Sequence, residues 1–186
     1  MMVVFDSNML LLLIRPDAGV PKDAKGNPIS HAKERIDGLV EQLARDKTKI
    51  VIPTPVLAEV LVRSTPEARA EYVERFRRSA AFRIEPFDER AAIEVAAMER
   101  KAHDAGDKKG GSEQTWAKVK YDRQIVGTAK VMGAPVIYTD DGNLAKCAFA
   151  NGLRTIGLGS VEIPSASAQM PLFPGKRAID LSDAEV

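Results

Sequence analysis

Five short apolar runs alternate with longer segments of helical periodicity, and this alternation limits the possible folds more than any other feature. The runs are rich in Val, Ile, Phe or Tyr, which are typical of buried strands. The helical segments repeat apolar side chains at helical spacing, as Ile36, Val40 and Leu43 do. The pattern predicts a three-layer α/β/α sandwich with a mainly parallel central sheet of four to five strands. The runs are residues 3–5, 49–52, 82–84, 136–139 and 154–156.

The composition is that of a globular protein and indicates no partner by itself. The chain has 186 residues with 27 basic and 26 acidic side chains, so bulk charge favours neither nucleic acid nor a membrane. The single cysteine, Cys147, is typical of a reducing compartment. No stretch approaches the roughly 20 apolar residues of a membrane span. We expect a cytoplasmic protein with one domain at residues 1–157 and a loop-like extension at residues 158–186.

Acidic residues follow two of the predicted strands directly. Asp6 follows the first run, and Asp140 and Asp141 follow the fourth. Parallel α/β sheets bind ligands at the carboxyl ends of their strands, so these acids are expected at one edge of the sheet. Two further acids, Glu59 and Asp122, lie within otherwise apolar helical segments. A carboxylate in such a place is rarely buried unless it is paired or bound to a metal.

A cluster of carboxylates suits the metal-assisted hydrolysis of phosphodiester bonds. Oxygen-only ligands favour Mg²⁺ or Mn²⁺, which keep several waters and bridge substrate phosphates. One or two such ions activate water and stabilise the charge that develops during the reaction. Without a cation, the like charges would repel one another and some carboxylates would take up protons.

Each acid also has a purely structural interpretation. An acid after a strand is often only a helix cap, and capping alone would explain Asp6 and one of the two acids at positions 140 and 141. An acid within a helix can face solvent, as Glu59 can, or pair with a nearby basic residue, as Asp122 can with Lys118. Four acids in four fitting contexts are harder to explain by capping.

Four short motifs occur in an order that resembles the PIN domain. The resemblance covers roughly residues 1–157 and is strongest to the VapC type, the toxin ribonucleases of bacterial toxin–antitoxin pairs. It implies a Mg²⁺- or Mn²⁺-dependent endoribonuclease that cuts RNA and is held in check by an antitoxin protein. The motifs are Val-Val-Phe-Asp6-Ser-Asn8, Pro-Thr-Pro-Val-Leu-Ala-Glu59, Tyr-Asp122-Arg-Gln-Ile-Val-Gly-Thr-Ala and Ile-Tyr-Thr139-Asp140-Asp141-Gly-Asn143-Leu.

The matching positions imply a catalytic, metal-binding set and a substrate-positioning set. Lys120 and Arg123 are included in the second set because an RNA backbone needs cations, although a solvated helix face explains them equally well. Asn143 stands where many relatives carry a further Asp. The catalytic and metal-binding acids are Asp6, Glu59, Asp122 and Asp141. The substrate-positioning residues are Asn8, Thr139, Asn143, Lys120 and Arg123.

Asp140 and Asp141 are not expected to reach the same metal. Adjacent side chains at the end of a strand point to opposite faces. The family motif places the acid at Asp141, and Gly142 behind it allows the sharp turn that would bring this residue toward Asp6. We predict that Asp141 belongs to the acidic site and that Asp140 serves the loop or caps a helix.

Two other classes of function compete with the nuclease. A phosphoacceptor receiver domain also gathers acids at strand ends, but it requires an acidic pair after the first strand and a lysine after the last. Here Ser7 follows Asp6, and Gly157 follows the last strand. A PIN fold kept only as a binding or assembly module is the second alternative, and the presence of all four acids counts against it.

Two segments exceed the compact pattern of the family, residues 15–30 and the tail after residue 157, and neither is expected to have a role in the core. Proteins of the VapC type commonly form homodimers and bind an antitoxin segment over the active-site groove. We therefore expect a homodimer, and we expect at least one of the two segments to contact another chain.

Overall fold

One parallel sheet forms the centre of the molecule. The computed structural model of the chain describes residues 1–15, 19–22, 26–62 and 64–164. Neighbouring strands all run parallel, which confirms the predicted kind of sheet. The strands are β1 (Met2–Phe5), β2 (Lys49–Pro53), β3 (Phe82–Glu85), β4 (Val136–Tyr138) and β5 (Arg154–Ile156), and their order across the sheet is β3-β2-β1-β4-β5.

Helices lie on both faces of the sheet, so the predicted three-layer α/β/α sandwich is confirmed. They begin at the capping signals of the sequence, since the Thr65 hydroxyl accepts a hydrogen bond from the Ala68 amide and the Asp88 carboxylate accepts one from Ala91. Within the described part of the chain, no helix is both long and apolar enough to cross a membrane. The helices are α1 (Ser7–Ile14), α2 (Ala32–Arg45), α3 (Thr54–Val62), α4 (Pro66–Arg78), α5 (Glu89–Asp104), α6 (Trp116–Val131), α7 (Gly142–Ala150) and a short 3₁₀ helix at Leu158–Ser160.

β1 lies in the middle of the sheet and is almost fully buried. Val3, Val4 and Phe5 are each at most 1% exposed, as expected for a strand covered on both faces. β2 pairs with one side of β1, and β4 pairs with the other. From β1 the chain adds β2 and β3 on one side of the sheet and then returns to add β4 and β5 on the other side. The order of strands therefore reverses between β1 and β4. The crevice at such a point is where open α/β sheets bind ligands.

The described part of the segment 15–30 forms a short hairpin-like turn. Lys22 and Pro28 form an isolated antiparallel bridge, and the Ile29 amide donates a hydrogen bond of 2.9 Å to the Pro21 carbonyl. Ile29 is buried in the main core, so the expectation that this segment has no core role is wrong for that residue. The remainder of the prediction, at residues 16–18 and 23–25, lies outside the described residues.

The first residues of the C-terminal tail pack against α2. Leu158 and Val161 are buried in the core, and the Arg35 guanidinium donates to the carbonyls of Gly159 and Val161. A Cβ atom at Gly38 would lie 2.8 Å from the Pro164 ring, so α2 and the tail approach closely at that point. The expectation that the tail has no core role is wrong for this part, and residues 165–186 lie outside the described residues.

Candidate active site

Asp6 and Thr139 are neighbours because of the register between β1 and β4. Phe5 pairs with Tyr138, so the residues that follow the two strands meet at the carboxyl edge of the sheet. The Thr139 hydroxyl donates a hydrogen bond of 2.7 Å to Oδ2 of Asp6. Oδ1 of Asp6 accepts one of 2.5 Å from the Ser7 amide at the start of α1. One oxygen of Asp6 thus caps a helix, while the other faces the end of β4.

Asp6 is buried beside a second acid, Glu59. Burial raises the pKa of Asp6 above its ordinary value, against the hydrogen bonds from Thr139 and Ser7, which lower it. The charge of Glu59 raises the same pKa further, so the two carboxylates lie within electrostatic range. Glu59 projects from α3, and its buried Oε2 has no hydrogen-bond partner among the described residues. A cation would stabilise both carboxylates in their charged form.

Asp141 joins the same edge of the sheet through Thr139. The Asp141 amide donates a hydrogen bond of 3.0 Å to the Thr139 hydroxyl, which itself donates to Asp6. Oδ1 of Asp141 caps α7, since it accepts hydrogen bonds of 2.8 Å from the Asn143 amide and 3.3 Å from the Leu144 amide. Oδ2 is directed elsewhere and lies 3.4 Å from Nζ of Lys118. Asp141 therefore divides its two oxygens between a helix cap and the site, as Asp6 does.

Asp122 lies within α6, where it caps no helix. Its side chain is 4% exposed, and Oδ1 lies 3.2 Å from Nζ of Lys118, one helical turn earlier. This contact is an ion pair at hydrogen-bond distance, and the described part of the chain gives Oδ1 no other partner. Burial raises the pKa of Asp122 to about 6, and Asp141 and Asp6 add to the rise, although Lys118 lowers it. Burial thus disfavours the charged form of Asp122, and the Lys118 ammonium offsets only part of this effect.

Lys118 is the residue of this site that the sequence-based selection missed. Its ammonium group lies within 3.4 Å of both Asp122 and Asp141. Burial by itself would lower the Lys118 pKa, but Asp122, Asp141 and Asp6 raise it above its ordinary value. The spacing of four residues before Asp122 is the signal that points to it, although by itself this spacing indicates only a local ion pair. Lys118 is therefore a fixed positive charge among three acids.

Asp140 forms its hydrogen bond outside the acidic site, although the charge of Asp6 adds to the rise that burial causes in the Asp140 pKa. Its Oδ1 accepts a hydrogen bond of 3.0 Å from the Leu158 amide, beyond β5. A Cβ atom at Gly157 would lie 2.7 Å from the same oxygen, so the glycine makes room for this contact. The two adjacent aspartates thus face different parts of the molecule, as the alternation of side chains predicted. Asp140 holds the end of β5 in place.

The substrate-positioning candidates are distributed over two places. Thr139 lies within the acidic site, and Asn8 is exposed in the first turn of α1, two residues after Asp6. Asn143 begins α7 beside Asp141, and its Oδ1 accepts a hydrogen bond of 3.3 Å from the Ser112 hydroxyl. These three polar residues therefore lie close in sequence to an acid of the site.

Lys120 and Arg123 gather instead around Trp116. The Lys120 ammonium lies 5.3 Å from the centre of the Trp116 ring, and the Arg123 guanidinium also lies 5.3 Å from it. The Arg123 side chain is only 5% exposed and donates a hydrogen bond of 2.7 Å from Nη2 to the Lys108 carbonyl. Its Nη1 lies 3.7 Å from a Glu99 oxygen without forming a hydrogen bond. Arg123 thus holds the loop before α6 against the helix.

The donor set of the site fits a hard divalent cation. The candidate ligands are all carboxylates, and the buried oxygens Glu59 Oε2 and Asp122 Oδ1 lack hydrogen-bond partners among the residues described. In the described chain, no three acidic, histidine or cysteine side chains stand in an arrangement that could by itself hold a metal ion. Mg²⁺ retains several waters and needs only one or two carboxylates, so a closed protein cage is not required. The residues therefore suit Mg²⁺ or Mn²⁺.

Comparison with known proteins identifies the family. A model of the PIN domain matches residues 29–150, which is more than half of the chain and includes Glu59, Asp122 and Asp141, although Asp6 precedes the match. The crystal structure of VapBC2 from Rickettsia felis, bound to a DNA fragment from their promoter, is similar with a TM-score of 0.57 and 16% identity, over 84% of this chain and 98% of that one. DNA-bound VapBC from Salmonella typhimurium gives a TM-score of 0.52 and 18% identity, over 85% and 99% of the two chains. No curated protein matches the sequence. The chain belongs to the PIN-domain family.

Proposed function

We propose that the protein is a metal-dependent endoribonuclease and the toxin of a type II toxin–antitoxin pair. The observation that carries the proposal is the meeting of Asp6, Asp122 and Asp141 around Thr139 and Lys118. These acids come from the end of β1, the middle of α6 and the start of α7, so local structure alone does not explain why they converge. Buried carboxylate oxygens without hydrogen bonds lower the stability of the folded protein, and the binding of a catalytic cation would explain why they are present.

Asp6, Glu59, Asp122 and Asp141 would hold Mg²⁺ or Mn²⁺, which when bound supplies an activated water and stabilises charge on the phosphate. Thr139 fixes the relative orientation of Asp6 and Asp141, because one hydroxyl donates to the first and accepts from the second. Lys118 carries a positive charge beside the acids, where a phosphate oxygen of the substrate would meet it. Asn8 and Asn143 lie next to this centre and offer polar groups to the RNA.

The likeness to VapBC structures supports an antitoxin as the partner of this chain, since both similar structures are complexes of that kind by their titles. We further propose a cytoplasmic homodimer, with residues 1–157 as the nuclease domain and residues 158–186 as its extension. Large apolar side chains are available for such contacts, because Phe149 is 82% exposed and Val62 is 76% exposed. A strictly monomeric protein that ignores its neighbouring antitoxin would contradict this part of the proposal.

Cleavage of RNA by the purified protein, with Mn²⁺, with Mg²⁺ and with excess chelator, tests the proposed activity. We expect cleavage with either ion and none with the chelator. A single-stranded DNA of the same sequence tests the choice of substrate. The matched variants are Asp122→Asn, which should be inactive, and Asp140→Asn, which should remain active because Oδ1 of Asp140 is bonded to the Leu158 amide.

Two results would contradict the nuclease. Cleavage that continues in chelator would show that no cation is needed. Binding of RNA or antitoxin without cleavage under any metal condition would favour the alternative, a PIN fold kept as a binding or assembly module.

A further inference from the structure

A pocket of about 220 Å³ opens beside the acidic site, between α5, α6, α7 and the loop that joins α5 to α6. We call it the lateral pocket. Met98, Ala102, Val119 and Cys147 form its apolar walls. Burial raises the pKa of the Cys147 thiol to about 11, so this wall stays neutral at physiological pH. The volume is below the roughly 300–1,000 Å³ of pockets that hold drug-sized ligands, and it suits a group of one or two rings.

Polar groups lie at the side of the lateral pocket nearest the acids. Asp122 itself lines the pocket, so the cavity is continuous with the acidic site. Asn143 and Ser112 line it too and are hydrogen-bonded to each other at 3.3 Å. Arg123 also lines it, and its buried Nη1 has no hydrogen-bond partner among the described residues. The pocket therefore combines apolar walls with an amide, a hydroxyl and a guanidinium nitrogen whose contact with Glu99, at 3.7 Å, is an ion pair without a hydrogen bond.

The outer part of the lateral pocket is mainly basic. Lys101, Lys109 and Lys146 line it, against the acid Asp107. Cations in this position attract a polyanion, and in particular the phosphates on either side of an inserted group. The surroundings thus favour a ligand that is apolar and flat in its centre, carries hydrogen-bonding edges and is linked to negative charge.

We propose that the lateral pocket binds one nucleobase of the RNA substrate, next to the phosphate that is cut, and so sets the base preference of the enzyme. The inference rests on the proposed ribonuclease function. Single-stranded RNA is read through unstacked bases whose edges form hydrogen bonds with protein groups. Asn143, Ser112 and Arg123 are the groups that would read the edge, and Asp122 places the base beside the acidic site.

A nucleobase fits these observations better than an apolar side chain of a partner protein. An apolar side chain would offer no hydrogen bond to the Asn143 amide or to Nη1 of Arg123, which has only its 3.7 Å ion pair with Glu99, and buried polar groups without hydrogen bonds are costly. It would also gain nothing from Lys101 and Lys146 at the mouth. A base linked to phosphates satisfies both requirements.

The first test measures binding without cleavage. Labelled hexanucleotides of A, C, G or U are titrated by fluorescence anisotropy against the Asp6→Asn protein, which we expect to be inactive. We expect the best base to bind about tenfold more tightly than the worst, as differences in hydrogen bonding to one base edge can provide. Equal affinity for the four hexanucleotides would overturn the proposal and favour a side chain of a partner protein as the occupant of the lateral pocket.

A pair of variants on α5 localises the preference. Ala102→Phe fills the lateral pocket, whereas Ala97→Phe adds the same side chain at an exposed position elsewhere on the helix. In the Asp6→Asn background, Ala102→Phe should reduce the ratio between the affinities of the tightest and the weakest hexanucleotide to about threefold or less. Ala97→Phe should leave this ratio unchanged. A spread that survives in Ala102→Phe would place the base preference elsewhere and overturn the proposal.

Alkylation of Cys147 gives a test that needs no change in the pocket. Cys147 is the sole cysteine of the chain and lines the pocket, so excess N-ethylmaleimide at pH 8 reports on access to it, at a slow rate because the thiol is mostly protonated. The tightest hexanucleotide should slow alkylation several-fold, and the weakest at the same concentration should not. Equal rates with both would contradict the proposal even if Ala102→Phe fails to fold.

Cleavage of a randomised RNA pool with Mn²⁺ separates this inference from the proposed function. Wild-type protein should prefer one base beside the cut, and Ala102→Phe should lose that preference. Cleavage by the wild-type protein without any base preference would contradict the binding of a nucleobase in the lateral pocket and would still support the ribonuclease function. If the wild-type protein cuts nothing, the nuclease is wrong, while the binding and alkylation measurements still decide the pocket.

Discussion

The acids of the site occupy two kinds of position, strand-to-helix junctions and the interior of helices. Asp6 and Asp141 lie at junctions, where one carboxylate oxygen caps the following helix and the other faces the site. Asp122 and Glu59 lie within α6 and α3, where neither caps a helix and each has a buried oxygen without a hydrogen-bond partner in the described chain. Asp141 therefore serves folding and the site together, whereas burial makes the charged form of Asp122 a cost to stability.

This difference has a practical consequence for reading variants. Removing the charge at either kind of position should lower the rate of cleavage, so a loss of activity does not by itself separate the two kinds. Stability should distinguish Asp141 from Asp122, because Asp141 caps α7, whereas burial disfavours the charged form of Asp122.

The largest expected effect is the loss of cleavage in Asp6→Asn and Asp122→Asn. Both changes keep the shape of the side chain but remove the charge that would hold a cation. We expect each to lower the rate of cleavage at least about 100-fold. Residues that only hydrogen-bond to a metal ligand typically cost about 10- to 100-fold when they are substituted. Single-turnover cleavage at saturating Mn²⁺ measures this. Near-normal activity in either variant would show that its carboxylate is not a ligand.

The next effect separates two neighbours at one junction. Asp141→Asn should reduce cleavage at least about tenfold, which corresponds to ~1.4 kcal/mol of barrier. Asp140→Asn should reduce it less, because Asp140 bonds to the Leu158 amide beyond β5. Rates are compared at saturating Mn²⁺ after both variants are shown to be folded. The opposite ranking would mean that Asp140, and not Asp141, reaches the cation.

Asp122→Asn should stabilise the metal-free protein by up to about 3 kcal/mol at pH 8. The pKa of Asp122 in the folded protein is raised to about 6 from an ordinary 3.8. The folded state therefore binds a proton more tightly than the unfolded state, so the wild type loses stability as the pH rises through this window. The gain should accordingly vanish near pH 4 and be complete above pH 6. Chemical denaturation at several pH values measures it.

Glu74→Gln is the matched control for that experiment. Glu74 pairs with Arg78 at the same spacing of four residues and at 2.7 Å, but on the exposed surface of α4. An exposed pair of this kind contributes little to stability, so the control should change the free energy of unfolding little at any pH. A stabilisation in Glu74→Gln equal to that in Asp122→Asn would show that the burial of the Asp122 carboxylate is not the cause of the effect.

Asp141→Ala should lower the free energy of unfolding by about 1 kcal/mol, because the first amides of α7 lose their acceptor. Asp141→Asn should cost less, since asparagine is also a good cap. Denaturation without metal compares the two. Equal stability of Asp141→Ala and the wild type would show that the junction acid contributes nothing to folding, and the contrast between the two kinds of position would fail.

Much of the fold could be predicted from local pattern. The apolar runs and the caps at Thr65 and Asp88 are local signals, and the strands and helices follow from them. The position of Asp6 beside Thr139 follows once β1 pairs with β4, but no local signal specifies that pairing or the order of the strands. The acids could therefore be selected from sequence with the help of the family motifs, while their contacts could not.

The role of Lys118 and the lateral pocket were beyond the reach of the sequence. Lys118 is one of several basic residues near Asp122, and only the approach of α7 brings Asp141 to its ammonium group. The lateral pocket depends on the packing of α5, α6 and α7 and on the path of the loop between α5 and α6. Such long-range packing leaves no periodic pattern in the chain.

Lys118→Met should give the smallest of these effects, a rise in Mn²⁺ affinity of about fivefold. The ammonium lies against Asp122 and Asp141, so a cation that binds there must compete with it. Lys120→Met is the control, because Lys120 lies over Trp116. Calorimetric titration with Mn²⁺ compares the two. Weaker binding in Lys118→Met would show that the lysine supports the cation instead of competing with it.

The most direct test of the account is the affinity for Mn²⁺ of the wild type, Asp122→Asn and Asp140→Asn, measured by calorimetry in the absence of RNA. The account predicts one affinity for the wild type and Asp140→Asn and a loss of at least about tenfold in Asp122→Asn. Equal affinity in all three proteins, or no binding to any of them, would contradict the claim that the acids around Thr139 and Lys118 form a cation site.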